Sequence, residues 1–163
     1  MIKTYRQGAT GALLDEYERA IFELQQVLHD ISDEELIKVA DGNTTDNNCK
    51  SIQTILSHVV RSCYIYALYM QQSAVLQIDY PDSLFHLSIK DYQKDLHDAF
   101  AFTNETFKNI RDNQLEQLDN NKKIITRWGQ IYDIEQMTEH AIVHILRHRR
   151  QIEKFKITLR KKN

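Results

Sequence analysis

Three histidines lie four residues apart near the end of the chain, at His140, His144 and His148 in the segment HAIVHILRHRRQ. Residues at this spacing on an α-helix are separated by roughly 6 Å along the axis, so two such imidazoles can bind one metal ion at about 2.0–2.1 Å. His140 and His148 are roughly 12 Å apart and cannot share an ion on a straight helix. The spacing therefore predicts a metal-binding pair, either His140 with His144 or His144 with His148.

The hydrophobic pattern of the same segment favours the second pair. When residues are placed about 100° apart around a helix, one direction collects the apolar side chains of Ile134, Ala141, Ile145 and Ile152. His148 lies within about 60° of this direction, His144 at about 80° and His140 at about 120°. We expect His144 and His148 to face inward and His140 to lie at the edge. Hydrogen-bonded core histidines are the alternative to a metal site at this stage.

A catalytic site of the zinc type has three protein ligands and one open position, so the pair needs a third ligand from another helix. The chain offers four further histidines, His29, His58, His86 and His97. His29 and His97 have polar neighbours and are expected in solvent. His58 lies off the centre of its apolar stripe, but the helix that carries it is apolar almost all round. His58 is therefore favoured as the third ligand.

Helices must position these residues, because 163 residues with Gly 4 and Pro 1 contain few helix breakers. Hydrophobic residues recur at helical spacing in four long segments, at about 10–29, 51–73, 88–110 and 133–160. Capping residues precede three helices: Ser32 with Glu35 starts a short helix that ends near Gly42, Ser88 with Asp91 starts the third long helix, and Asp133 with Gln136 starts the last.

The segment KIITRWGQIYDI alternates too strictly for a helix and predicts two short strands, with Gly129 as the first residue of their turn. Together with the four long helices, this pattern predicts an all-α four-helix bundle with a short β-hairpin before the last helix. The length fits a single domain over residues 1–163.

Composition excludes several classes of protein. A net charge of -2 gives no general attraction to nucleic acid or to an anionic membrane. No apolar run approaches the roughly 18 residues of a membrane helix, and the first residues lack the apolar core of a signal peptide. Two cysteines make no disulfide framework and are expected to be free thiols in a reducing cytoplasm. We therefore expect a cytoplasmic protein that binds neither nucleic acid nor membrane.

Other residues with possible chemistry have simpler explanations. The arginines of the last helix, Arg147, Arg149 and Arg150, are expected to pair with surface acids rather than with a ligand. The tyrosines of CYIYALYM are expected in the core. Cys63 falls in a buried stripe and is expected to be inert. Cys49 precedes the second long helix and has no basic or metal partner visible in the sequence, so it is not assigned as a nucleophile.

The segments SIQTILSHVV and HILRHRRQI resemble the DinB/YfiT-like superfamily, and the resemblance covers essentially the whole chain. The signature of this family is one histidine on helix two and an H-x-x-x-H pair on helix four, followed by x-x-Gln. These positions match His58, His144, His148 and Gln151. The resemblance implies a four-helix bundle with unusual connectivity, often dimeric, in which the three histidines bind a divalent ion and leave positions open. His140, Gln151 and Ser62 are expected around the ligands or in the pocket.

Two functions follow from this resemblance. The first is a metal-dependent enzyme, a thiol S-transferase or a hydrolase, because an ion held by three neutral imidazoles can activate a low-molecular-weight thiol or water. The second is a stress-induced, DNA-damage-inducible binding or dimerisation module whose metal is structural or incidental. An open site favours the enzyme, and a fourth protein ligand favours the module. Zinc or nickel is the expected ion, the protein is expected to be a homodimer, and no catalytic residue is identified.

Overall fold

The computed structural model describes residues 4–71 and 81–161. Within these ranges the chain forms four long helices: α1 (Gly8–Leu28), α3 (Ile52–Gln71), α4 (Ile89–Phe107) and α5 (Ile134–Arg160). A short helix α2 (Asp33–Ile37) and a 3₁₀ turn (Asn47–Cys49) lie between α1 and α3, and two antiparallel strands, β1 (Ile124–Ile125) and β2 (Ile131–Tyr132), precede α5. The predicted bundle with a short hairpin is confirmed. The predicted end of the second long helix at Ser73 lies outside the described residues.

Ion pairs between α1 and α5 give the relative direction of these two helices. Arg149, past the middle of α5, bonds Glu23 of α1. Two turns later Lys156 bonds Asp30, just after the end of α1. Both helices therefore advance in the same direction, and α1 and α5 are parallel neighbours.

The two central helices of the chain, α3 and α4, are also parallel neighbours. The ring of Tyr64 packs against that of Phe102, with 5.3 Å between the centroids. Nearer the end of both helices, the Gln71 amide donates to the Thr106 hydroxyl at 2.9 Å. Consecutive helices in a simple bundle alternate in direction. Parallel α3 and α4 therefore agree with the unusual connectivity that was expected.

Side-chain caps fix where the helices begin. The Asp133 carboxylate accepts a hydrogen bond from the backbone N–H of Gln136 at 2.9 Å. In return, the side-chain oxygen of Gln136 accepts one from the backbone N–H of Asp133 at 3.1 Å. Ser32 and Glu35 form the same reciprocal pair at the start of α2. Ser88 caps α4 through its hydroxyl alone. These contacts satisfy backbone N–H groups that have no partner within the helix.

The short helix α2 ends at Ile37, and its predicted end near Gly42 is wrong. Lys38 takes an extended conformation, with φ -63° and ψ 132°. Val39 then forms an isolated antiparallel bridge with Ser51, the residue that leads into α3. Pairing with a distant residue thus replaces the last turn that local pattern predicted, and it ties the loop from 40 to 50 to the start of α3.

The hairpin turn also differs from the prediction. Thr126 and Gln130 pair through the backbone at 2.9 Å, and the Gly129 nitrogen donates to the Thr126 carbonyl at 3.0 Å. Gly129 has φ +88°, so it is the last residue of a turn that starts at Thr126 and not the first residue of a two-residue turn. Glycine suits either place because it adopts positive φ without a Cβ clash.

No helix of the described residues is long and apolar enough to cross a membrane.

Candidate metal centre

The antiparallel packing of α3 and α5 brings the predicted ligands together. Near the end of α3 the sulfur of Met70 lies 3.2 Å from the hydroxyl of Thr138, which is near the start of α5. Three turns earlier on α3, His58 faces His144 and His148. One ring nitrogen from each histidine lies within 4.8 Å of the others. Three imidazoles from two helices therefore converge on one point, as an ion would require.

The closest of these contacts joins His58 and His144. Their Nε2 atoms are 2.9 Å apart, so one ring donates a proton to the other. Two imidazole nitrogens that bind a tetrahedral zinc ion at about 2.0–2.1 Å lie about 3.3 Å from each other. The observed separation is only a few tenths of an ångström shorter. A small rotation of the rings would therefore admit an ion in place of the shared proton.

His148 is the most buried of the three, with 4% of its surface exposed. Its Nδ1 atom lies 3.0 Å from Oε1 of Gln151, which leaves Nε2 available for the ion. The ring centroid of His148 is 4.5 Å from that of His144 and 5.1 Å from that of His58. A glutamine that holds the far side of a metal-binding histidine fixes both its ring orientation and its tautomer.

Burial keeps all three imidazoles neutral. Burial, followed by the charges that the neighbouring imidazoles would carry, lowers the pKa of His144 to about 2. The same two causes lower the pKa of His148 to about 4, and burial lowers the pKa of His58. Only neutral imidazole has the lone pair that binds a metal. All three rings therefore have the neutral charge state that metal binding requires near neutral pH.

One ring nitrogen of His144 lacks the support that His148 has. Its Nδ1 atom is buried and has no hydrogen-bond partner among the described residues. If Nε2 binds an ion, Nδ1 carries the proton, and such a proton is usually donated to a carboxylate, a carbonyl or water. Within the described ranges, protein contacts fix the ring of His148 more firmly than that of His144.

His140 lies beside the converging group and not in it. Its ring is nearly parallel to that of His144, with a centroid distance of 6.4 Å and an angle of 17°, so the two do not point at a common ion. Its Nδ1 atom is 3.2 Å from the hydroxyl of Tyr132. The alternative pair of His140 with His144 is therefore not formed.

The remaining candidates lie in different surroundings. His29 and His97 are exposed, as expected, and His86 pairs with Asp95 at 2.6 Å. Ser62 is buried one turn after His58, on the same helix. Of the three residues expected around the ligands, Gln151 hydrogen-bonds directly to the candidate ligand His148. Ser62 and His140 lie beside the site.

An aromatic wall flanks the site on the side of His140, and we define it as Tyr66, Trp128 and Tyr132. The Tyr66 ring is 5.6 Å from that of His144. Trp128 stacks on His140 at 5.8 Å and meets Tyr66 edge-on at 6.2 Å. Tyr66 is buried, as expected, but it also lines the candidate centre. The hairpin supplies Trp128 and Tyr132, which the sequence could not place there.

Cys49, in the 3₁₀ turn before α3, contacts Gln151, the residue that holds His148. Its sulfur is 3.7 Å from Oε1 of Gln151, the same atom that contacts His148. On its other side Oδ2 of Asp46 is 3.4 Å away. Cys49 and Gln151 are 102 positions apart in the sequence, so no local pattern indicates this contact.

The arginines divide into two groups. Arg149 bonds Glu23 and Glu153, which confirms the predicted pairing with surface acids for this residue, whereas Arg147 and Arg150 form no ion pair within the described ranges. Positive charges also surround His58. Burial is the main cause that lowers the pKa of His58, and the charge of Asp46 acts in the opposite direction. The charges of Arg61, Arg127 and Arg147 lower the pKa further. Charges of both signs therefore act on His58, the three arginines on one side and Asp46 on the other.

Comparison with solved structures supports the fold. The chain is similar to the crystal structure of a conserved protein from Enterococcus faecalis, with a TM-score of 0.66 and 14% sequence identity over 94% of this chain and 98% of that one. No sequence model of a protein family matches the chain, and no curated protein matches it significantly. The structural likeness shows a shared fold across nearly the full length of both proteins.

Proposed function

We propose that this protein is a metal-dependent enzyme of the DinB/YfiT-like type, a single domain over residues 1–163 in which His58, His144 and His148 bind one divalent ion. The observation that carries the proposal is the convergence of three ring nitrogens from two helices within 4.8 Å. Zinc or nickel is the proposed ion, because neutral imidazole nitrogens suit both metals. The lowered pKa values of the three rings support the same assignment.

The number of ligands favours an enzyme over a structural metal. In the part of the chain that the structure describes, the converging group contains three histidines and no fourth histidine, cysteine or carboxylate. Structural zinc sites have four protein ligands, whereas catalytic sites have three and leave a position open. A fourth protein ligand would favour the alternative, a DNA-damage-inducible binding or dimerisation module with a structural ion. The three-ligand group therefore supports the enzyme.

The surroundings of the site support a small, electron-rich substrate. When bound, an ion of this kind supplies a Lewis acid that lowers the pKa of a water molecule or thiol beside it. The aromatic wall presents ring surface on the side of His140. Arg61, Arg127 and Arg147, whose charges act on His58 against that of Asp46, are the groups that would attract an anionic substrate or a thiolate. We propose transfer involving a low-molecular-weight thiol as the reaction class, with hydrolysis as the second possibility.

Metal content tests the proposal directly. Protein purified without a polyhistidine tag or added metal is expected to contain about one zinc or nickel ion per chain, as a three-ligand site of this kind predicts. Elemental analysis of freshly purified protein measures this ratio, and dialysis against a chelator provides the metal-free reference.

The single tryptophan supplies a second measurement. Trp128 stacks on His140 at 5.8 Å, and His140 is 6.4 Å from His144, so a paramagnetic ion bound by the triad would quench tryptophan emission. Ni²⁺ should quench the chelator-treated protein saturably, and an excess of Zn²⁺ should reverse the quenching. His97→Ala on the surface of α4 is the control and should leave the titration unchanged. Protein that retains no ion and shows no saturable quenching would remove the support for this function.

We also propose that the protein is a homodimer, as the family resemblance implies. Apolar side chains are exposed on the neighbouring helices α1 and α5, including Phe22 at 58%, Val143 at 63% and Ile157 at 56%. Exposed apolar groups of this kind are typical of an interface, and a two-fold dimer would bury each of them twice. Light scattering at micromolar concentration should give twice the chain mass of 19.3 kDa.

A charged substitution in the proposed interface tests its location. Phe22→Lys should shift the protein to the monomer, because an ammonium group would be buried without a partner. Leu118→Lys, at a side chain that is 94% exposed on the connection before β1, is the matched control and should not change the mass. A monomeric wild-type protein would overturn the dimer proposal.

A further inference from the structure

The contact between His148 and Gln151 depends on which end of the glutamine amide faces the ring. Oε1 lies 3.0 Å from Nδ1 of His148, and an oxygen there can only accept, so Nδ1 must carry the proton. Nε2 of His148 is then free to bind an ion. If the amide were turned, its NH₂ group would donate to Nδ1 and the proton would move to Nε2, which would block the metal-binding lone pair. The amide orientation therefore selects the tautomer.

The histidine alone does not fix this orientation, since either end of the amide can pair with one of the two tautomers. A second group on the other side of Gln151 must decide. Cys49 is that group: its sulfur is 3.7 Å from the same Oε1 atom. A thiol is a donor, so an S–H bond to Oε1 favours the oxygen-inward orientation. Burial, and then Asp46, raise the pKa of the Cys49 thiol, which keeps this proton in place.

Asp46 competes for the same proton. Its Oδ2 atom lies 3.4 Å from the sulfur of Cys49. If the thiol donates to Asp46, the sulfur becomes an acceptor toward Gln151, and a turned amide would satisfy both the sulfur and Nδ1 of His148. Two complete hydrogen-bond patterns are thus available, and the observed contacts of Oε1 correspond to the one that leaves Nε2 of His148 free.

We propose that Cys49 and Gln151 form a positioning pair, in which the thiol of Cys49 holds the Gln151 amide so that His148 presents Nε2 to the ion. The proposal rests on the metal-binding function proposed above and adds residues that act on one ligand of that site. Neither residue binds the ion itself. The pair acts through the tautomer of His148.

The tautomer can be measured without any metal. Nitrogen-15 NMR of the histidine side chains distinguishes a proton on Nδ1 from one on Nε2. In chelator-treated wild-type protein, His148 is expected to carry its proton on Nδ1. Cys49→Ala and Gln151→Ala should both shift it toward Nε2, whereas Cys49→Ser, which keeps a donor, should retain the wild-type form. Cys63→Ala is the matched control, because it removes the other thiol of the chain without touching this network.

Metal affinity gives the second measurement. Gln151→Ala is expected to weaken binding of Zn²⁺ by about 10- to 100-fold, as for other groups that orient a metal-binding histidine. Cys49→Ala should weaken it by about 2- to 10-fold, the effect of one neutral hydrogen bond. In the Gln151→Ala background, Cys49→Ala should have no further effect, because the amide that the thiol positions is absent.

Several results would overturn the proposal. One is a wild-type His148 protonated on Nε2 in the metal-free protein. A second is a Cys49→Ala variant with the wild-type tautomer and affinity. A third is an equal loss of affinity from Cys49→Ala in both backgrounds. A sulfur-to-metal charge-transfer band in the Co²⁺ protein that disappears in Cys49→Ala would show that Cys49 is itself a ligand. Failure of wild-type protein to bind metal would count against the proposed function, and the tautomer measurement would still decide the role of the pair.

Discussion

Replacement of His148 with alanine is expected to weaken zinc binding by about 10²–10³-fold. Apparent binding free energies of about 10–16 kcal/mol in four-ligand zinc sites correspond to about 2.5–4 kcal/mol for each ligand, and each 1.4 kcal/mol is a factor of ten. His148 is the best-supported ligand, since it is buried and held by Gln151. Competition with a chromogenic chelator near neutral pH measures the change, and circular dichroism checks that the variant remains folded.

The matched control for this substitution is His140→Ala on the same helix. His140 contacts Tyr132 and Trp128 and does not point at the ion. Its removal is expected to weaken binding by less than about 10-fold, the lower limit for loss of a residue that orients a ligand. A larger loss from His140→Ala than from His148→Ala would place the ion between His140 and His144 and would contradict the proposed site.

The metal-free protein is expected to lose stability as the pH falls below about 6.5, the ordinary pKa of histidine in an unfolded chain. The folded protein keeps His148 neutral down to its lowered pKa of about 4, and His144 down to about 2. Between these values the unfolded state binds more protons, so the free energy of unfolding decreases as the pH decreases. At about pH 5 the loss is about 2 kcal/mol for each buried imidazole.

Urea unfolding in the presence of a chelator, at neutral pH and at about pH 5, measures this loss. The window lies above the range of carboxylates such as Asp30, whose pKa is lowered to about 2 by its bonds to Lys156 and Arg160. The variant His148→Gln should lose about 2 kcal/mol less than the wild type over the same interval. An equal loss in both proteins would show that His148 does not remain neutral in the folded state.

Local physical chemistry made most of the fold predictable. Periodic apolar residues and the caps at Ser88 and Asp133 placed the long helices within a few residues of their observed bounds, because these features act over one or two turns. The two errors arose where backbone pairing outside a helix overrode the pattern that the sequence suggested. Val39 bridges Ser51 and ends α2 early, and Thr126 pairs with Gln130 to give a longer hairpin turn.

The candidate site was predictable in part. The inward direction of His144 and His148 follows from helical spacing on one element. His58 was favoured only weakly by its helix, and its assignment depended on the resemblance, because helical periodicity does not say which helix faces which. Neither helical periodicity nor the family resemblance indicated the contact of Cys49 with Gln151. It exists because the 3₁₀ turn at the start of α3 meets the second half of α5.

The position of the triad on α3 and α5 gives a bound ion a mechanical role. His58 and His144 are 86 residues apart in the sequence, so an ion that they share closes a loop of more than half the chain. A crosslink over a loop of this size removes about 4–5 kcal/mol of chain entropy from the unfolded state. Unlike a disulfide, this crosslink is reversible and needs no oxidant. The three bonds from protein to metal would then hold the two halves of the chain together, and loss of the ion would shorten the lifetime of the folded protein.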